Sequence, residues 1–253
     1  MVTIKSKSEL EKMKMAGAVT FGALRAVKAA IRPGVTTLEL DRVAEEYIRA
    51  KGCTPSFLGY GGFPGSVCAS VNNEIIHGIP AKRELKDGDI ISIDVGACYQ
   101  GYHGDACRTF GVGSISPEAQ KLMDVTRESF FKGIEFAKEG YRISDISRAI
   151  QSHVEQNGFS VLRDYCGHGI GAQLHEDPEV PNYISSQRGI RIRPGMCLAI
   201  EPMVCQGDKA YYVEGNDWTV CTRDGKLSAH YENTVLVTAG EPFLLTMPDG
   251  EEV

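Results

Sequence analysis

The sequence predicts an α+β protein of two related halves, with a central antiparallel β-sheet covered on its outside by helices. Three observations predict it. Four segments carry helix start and stop residues around an apolar period of 3.6, and the runs between and after them have strand character. One pattern also occurs twice in the same order. GDIISID at 88–94 and GMCLAIE at 195–201 both run from glycine through mostly apolar residues to Ile and a carboxylate, six positions after the glycine. HGI precedes each, at 77–79 and 168–170, and a second carboxylate follows each, Asp105 and Glu232. Such self-similarity reads as an internal repeat within one domain, roughly 1–112 and 113–253.

The elements follow in order. Ser6 and Glu9 make a capping-box pattern before an apolar run through Leu10, Met13, Ala16 and Gly17 to Ile31, which Pro33-Gly34 ends. Thr36 with Glu39 opens a second helix that stops at Gly52. Ser116 as N-cap and Pro117 at the first helical position start a third, expected to run to Gly140. The fourth spans 143–158 and closes at Asn157-Gly158.

Composition narrows the function classes. With 253 residues and 42% hydrophobic content the chain can bury a substantial core. Net charge is −6 without a basic stripe, which argues against nucleic-acid binding. No apolar run approaches the roughly 18 residues of a membrane span, and the N-terminus has no signal-like core, so a cytoplasmic location is expected. Eight cysteines without a C-x-x-C pair read as reduced core residues and not as a structural zinc site.

Two acids then stand out, Asp94 and Asp105 in ISIDVGACYQGYHGDACRTF. If 90–98 and 103–110 pair as a hairpin turning near Gln100, parity puts both on one face, directly opposite or diagonal. Like charges that close raise one pKa unless a cation lies between them, and a metal supplies that cation. Glu201 after MCLAI, Glu232 before NTVLVT and His168 in CGHGIG complete a set of four carboxylates and one imidazole. That count suits two metals sharing bridging carboxylates, with Mn, Fe or Co fitting at least as well as Zn. Such a pair describes a metal-assisted hydrolase.

The motifs SVNNEIIHGIP, DGDIISIDVGACYQGYHGD, YCGHGIG, LHEDPEVPNY, MCLAIEPM, DWTV and SAHYENTVLVT resemble the type I methionine aminopeptidases, of the creatinase and prolidase group with the pita-bread fold. The resemblance spans essentially the whole chain. It implies that Asp94 chelates one divalent ion, that Asp105 and Glu232 bridge two, and that His168 and Glu201 complete the second site. Co, Mn, Fe, Ni and Zn are the candidate ions. It further implies Glu201 as general base, His175 at the scissile amide and His77 near the peptide nitrogen. A methionine pocket would be lined by Tyr60, Phe63, Cys68, Leu174 and Trp218. In the bacterial members the resemblance implies cysteine where this chain has Phe57, tyrosine at Phe63 and phenylalanine at Leu174; the changes keep the lining apolar. His103, His153 and His230 read as structural.

The function implied is removal of the initiator methionine from nascent chains whose second residue is small, by attack of a metal-activated water on the first peptide bond. Nascent polypeptides would be the partners, with transient ribosome association, and the chain would be a monomer. The alternatives are a prolidase or aminopeptidase P-like member of the group and a non-catalytic pita-bread binding module.

Overall fold

Local capping sets the helices. In the computed structural model, which describes residues 2–186, 188–248, 250 and 253, Ser6 Oγ accepts from the Glu9 N–H while Glu9 Oε2 accepts from the Ser6 N–H at 2.7 Å, opening α1, Lys7–Ala30. The reciprocal pair Thr36 and Glu39 opens α2, Thr37–Ala50, and Gly52 (φ 73°) takes the left-handed position after it. The third helix, α3, is Pro117–Ile134, and α4 is Ile143–Gln156. Helix α3 ends six residues short of the expected Gly140. The chain leaves it in tight turns, Phe136 N–H to Gly133 O at 3.1 Å and Ala137 N–H to Ile134 O at 3.0 Å, which drop Ala137 into the core.

Between the first two and the last two helices runs the hairpin Ile90–Tyr99 and Tyr102–Gly111. Tyr99 pairs with Tyr102, so Gln100-Gly101 is the two-residue turn, both residues at positive φ, as a type I′ turn requires. Helix α1 lies directly on this hairpin, since a Cβ at Gly104 would stand 2.8 Å from the Gly17 backbone nitrogen. Thr20 fastens the two: its Oγ1 donates to Gly104 O and accepts from the Ala97 N–H, each at 3.1 Å.

Every strand pairing among the described residues is antiparallel. The hairpin, Val67–Val71 and Thr54–Pro55 form one sheet; Phe243–Leu244, Asn233–Leu236, Cys197–Ile200, Gly167–Gly169 and Glu176–Val180 form another, in that order. Two three-stranded sheets flank them. One core fills the space between α1, α2 and the hairpin, with Leu24, Leu40, Ile91 and Ile93 fully buried. A second fills the space under α3 and α4, with Phe130, Ile146, Leu198 and Val235.

The two larger sheets meet edge to edge, the free edge of Tyr102–Gly111 against residues 230–234. Cys107 and Glu232 exchange backbone hydrogen bonds (3.4 and 3.0 Å). On either side of that pair the bonds match: Thr109 Oγ1 binds the N–H and C=O of His230 (2.9 and 2.8 Å), and Thr234 Oγ1 binds the N–H and C=O of Asp105 (both 2.9 Å). The glycine turns match as well. Gly88 and Gly195 have φ 91° and 87°, and each donates across its hairpin at 2.9 Å, to Val112 O and Val237 O.

Candidate metal centre

The carboxylates come from strands that cross near this midline. Asp94 pairs with Cys107 and Asp105 with Gly96, so the two acids are diagonal neighbours on one face, as parity requires. Glu201 follows the strand Cys197–Ile200 and Glu232 precedes its partner Asn233–Leu236. His168 enters from Gly167–Gly169, whose glycines are a spatial necessity: a Cβ would stand 2.3 Å from Ala199 O at 167 and 2.2 Å from Asp177 O at 169. His168 Nδ1 bonds Gly169 O at 2.9 Å. With Nδ1–H so engaged, Nε2 presents its lone pair to the acids.

His168 Nε2 lies 3.5 Å from Glu201 Oε1 and 4.0 Å from Asp105 Oδ2. Donor atoms of Asp105, His168 and Glu232 all lie within 4.8 Å of one another, and so do those of Glu201, His230 and Glu232. These separations are long for hydrogen bonds, whereas two donors each about 2.1 Å from one ion sit roughly 3 to 4 Å apart. Asp94 Oδ1, Asp105 Oδ1 and Glu232 Oε1 are buried with no hydrogen-bond partner. Orphaned buried acceptors in an acid and imidazole set fit a divalent cation.

The electrostatics agree. Burial pushes the Asp94 carboxyl up to about 7, and burial followed by the neighbouring carboxylates pushes Asp105 and Glu232 well above the usual range. Glu201 is raised likewise, by burial and then by Asp94. Burial lowers His168 to about 3, His230 to about 3 and His77 to about 4. The metal-free cage therefore holds protons on its acids and keeps its imidazoles neutral, and a cation would displace those protons.

One cavity of about 170 Å3 joins this cage to an apolar wall. Asp94, Asp105, His168, Glu201 and Glu232 line it, together with His77, His175, Tyr60, Phe63, Cys68, Leu174 and Trp218, and also Phe57. Thus the structure brings together all twelve residues singled out in the sequence. Phe63 meets Trp218 edge-on at 5.1 Å, and His77 meets the same ring at 6.3 Å. Cys68 pairs with Asp94 across the sheet, and burial ahead of that carboxylate holds its thiol protonated. His175 Nδ1 bonds Tyr60 Oη at 2.8 Å. His77 sits at φ 58°, a left-handed conformation uncommon for a non-glycine residue and frequent at functional sites.

Residues 11–239 match the model of metallopeptidase family M24. The methionine aminopeptidase of Clostridium perfringens is 56% identical, over 98% of this chain and 99% of its own. The chain belongs to the methionine aminopeptidases of family M24. It is a metal-dependent hydrolase. The crystal structure of the Thermotoga maritima methionine aminopeptidase superposes with a TM-score of 0.95 at 46% identity, covering 97% of this chain and 99% of that one. The pita-bread fold of family M24 extends to the Pyrococcus furiosus prolidase, at a TM-score of 0.79 and 23% identity over 96% of this chain and 65% of that one.

Family M24 membership leaves one residue at the centre unaccounted for. His230, expected to be a satisfied structural histidine, is buried with Nε2 unpaired, 3.7 Å from Glu201 Oε2 and 3.9 Å from Glu232 Oε2. The signal was its place two residues before Glu232, which in a strand means the same face. His103 and His153 are paired as expected, with Ser56 Oγ (2.9 Å) and Glu128 Oε2 (3.1 Å). The eight cysteines are free thiols, six of them buried. Among the described residues no helix is long and apolar enough to cross a membrane.

Proposed function

We propose that this chain removes the initiator methionine from nascent polypeptides whose second residue is small, acting in the cytoplasm as a monomer that meets its substrate in transient contact with the ribosome. The observation that carries the reading is the single cavity with an acid and imidazole cage at one end and the Tyr60, Phe63, Cys68, Leu174 and Trp218 wall at the other. An unbranched thioether side chain suits a lining of aromatic rings and sulfur. We read the chain as one catalytic domain of two related halves.

Asp94, Asp105, His168, Glu201 and Glu232 would hold two divalent ions, drawn from Co, Mn, Fe, Ni or Zn, with Asp105 and Glu232 shared between them. Bound there, such ions polarise a carbonyl and lower the pKa of water. The chain's own groups supply the rest. Glu201, within the cage, takes the proton as general base. His175 Nδ1 lies 2.8 Å from Tyr60 Oη; with the hydroxyl assigned as donor in this reading, the proton is on Nε2, the tautomer able to donate to the scissile carbonyl oxygen as charge develops. His77, fixed by its backbone and by Trp218 and Tyr165, binds near the peptide nitrogen. The apolar wall excludes water around the methionine side chain.

The test is a Met-X-peptide series beside X-Pro peptides, after chelation and re-addition of each metal singly. Release of methionine from Met-Gly peptides with loss on chelation is expected. Preference for X-Pro peptides would move the chain to the prolidase side of the fold, and metal binding without turnover to a binding module.

A further inference from the structure

Glu201 stands between two imidazoles. Its Oε1 faces His168 Nε2 at 3.5 Å, on the cavity side, and its Oε2 faces His230 Nε2 at 3.7 Å. The same nitrogen lies 3.9 Å from Glu232 Oε2. His168 lines the cavity with the acids; His230 does not, and borders instead a separate groove with Arg108, Thr109 and Tyr231. It therefore sits behind the carboxylates. Its backbone is fixed there: Thr109 Oγ1 donates to His230 O at 2.8 Å, accepts from His230 N–H at 2.9 Å, and shares a third bond with Ser92 Oγ at 2.8 Å. Since that hydroxyl has one proton, Ser92 is the donor to it. A nitrogen so buried, so anchored and so aimed, yet unpaired, calls for a partner.

We propose that His230 is a positioning residue, whose Nε2–H donates to Oε2 of Glu201, with Glu232 Oε2 as a second acceptor in reach, so that Glu201 presents Oε1 alone to the metal centre. This rests on the reading of Glu201 and Glu232 as metal ligands. A carboxylate bound through one oxygen can swing its other oxygen into the site, and an outer hydrogen bond prevents it. Closing 3.7 Å to a bond of about 2.9 Å needs a movement of about 1 Å.

Two measurements decide. In the Zn(II)-loaded protein, a long-range proton–nitrogen-15 spectrum of the imidazoles should show His230 Nε2 protonated. A bare Nε2 would make His230 itself a ligand, or no donor, and overturns the proposal. In Zn(II) titrations, His230→Gln keeps an N–H donor and should bind within about threefold of wild type, while His230→Leu should bind 10- to 100-fold more weakly, the usual cost of an outer partner. Leu equal to wild type, or Gln as weak as Leu, also overturns it. Should His230→Leu not fold, the spectrum of the unmodified protein decides alone. Absence of Zn(II) binding by wild type would instead sink the metal-centre reading.

Discussion

Replacing Asp94 with asparagine should stabilise the metal-free protein at neutral pH while ruining its metal site. Asp94 is buried, its Oδ1 has no hydrogen-bond partner, and its carboxyl titrates near 7 in place of the ordinary 3.8. A carboxyl raised in the folded state contributes stability that is full below the unfolded value, near pH 4, and is lost as pH rises through the folded value. At about 1.4 kcal/mol per pH unit, holding that proton to about pH 7 is worth about 4 kcal/mol. Asparagine is neutral throughout. The variant should therefore exceed wild type by about 1 kcal/mol at pH 4.5 and about 4 kcal/mol at pH 7.5, an upper figure because the neighbouring Asp94 and Asp105 carboxyls share the effect. In a chain of this size that upper figure is a Tm difference of roughly 8–16 °C. Thermal unfolding of the chelated proteins from pH 4.5 to 8 measures it, and adding Mn(II) at pH 7.5 should reverse the order. A difference that is absent, or that shrinks toward neutral pH, would refute the argument that the cage is an uncompensated acid cluster.

Other expectations follow from the same geometry. Asp94→Ala should weaken mainly one metal and Asp105→Ala both, read as the two affinities in a calorimetric titration; equal, negligible effects would show the hairpin acids to be misread. Glu201→Gln should keep its far-ultraviolet circular dichroism yet lose roughly 100-fold or more in kcat/KM on a Met-Gly peptide, and near wild-type turnover would remove it as the base. Gly169→Ala places a methyl group on Asp177 O, and should cost about 1–3 kcal/mol in urea unfolding and lower metal affinity through His168. Unchanged stability would mean that the strand moves aside freely.

Much of this was legible because it is local or periodic. Capping pairs such as Ser6 with Glu9 act within one turn, so the starts of α1 and α2 can be read from four residues. Parity is equally local: a two-residue turn at Gln100-Gly101 fixes the face of Asp94 and Asp105 without any tertiary knowledge. The end of α3 was not legible, because the segment after Ile134 has no breaker before Gly140. It leaves the helix so that Ala137 can reach the core, a tertiary demand. The pocket wall required the family resemblance, since Tyr60 with Phe63, Leu174 and Trp218 come from three separate places in the chain and have no spacing that joins them.

His230 shows why a chemical echo misleads about register while succeeding about chemistry. Matching acid to acid along the sequence pairs Asp105 with Glu232. The hydrogen bonds pair them differently: Cys107 with Glu232 at the midline, and Asp105 with His230, each clamped at N–H and C=O by the other half's threonine. The two alignments differ by two residues, and two residues along a strand return to the same face. A slip of one would have sent Glu232 away from the cage; a slip of two left it inside and hid His230 instead. Chemistry therefore need not respect the symmetry of the backbone. One half places an acid and a thiol, Asp105 and Cys107, where the other places an imidazole and an acid, His230 and Glu232. Asp94 and Glu201, the residues whose positions after Gly88 and Gly195 agree in both alignments, are the ones the repeat alone could find.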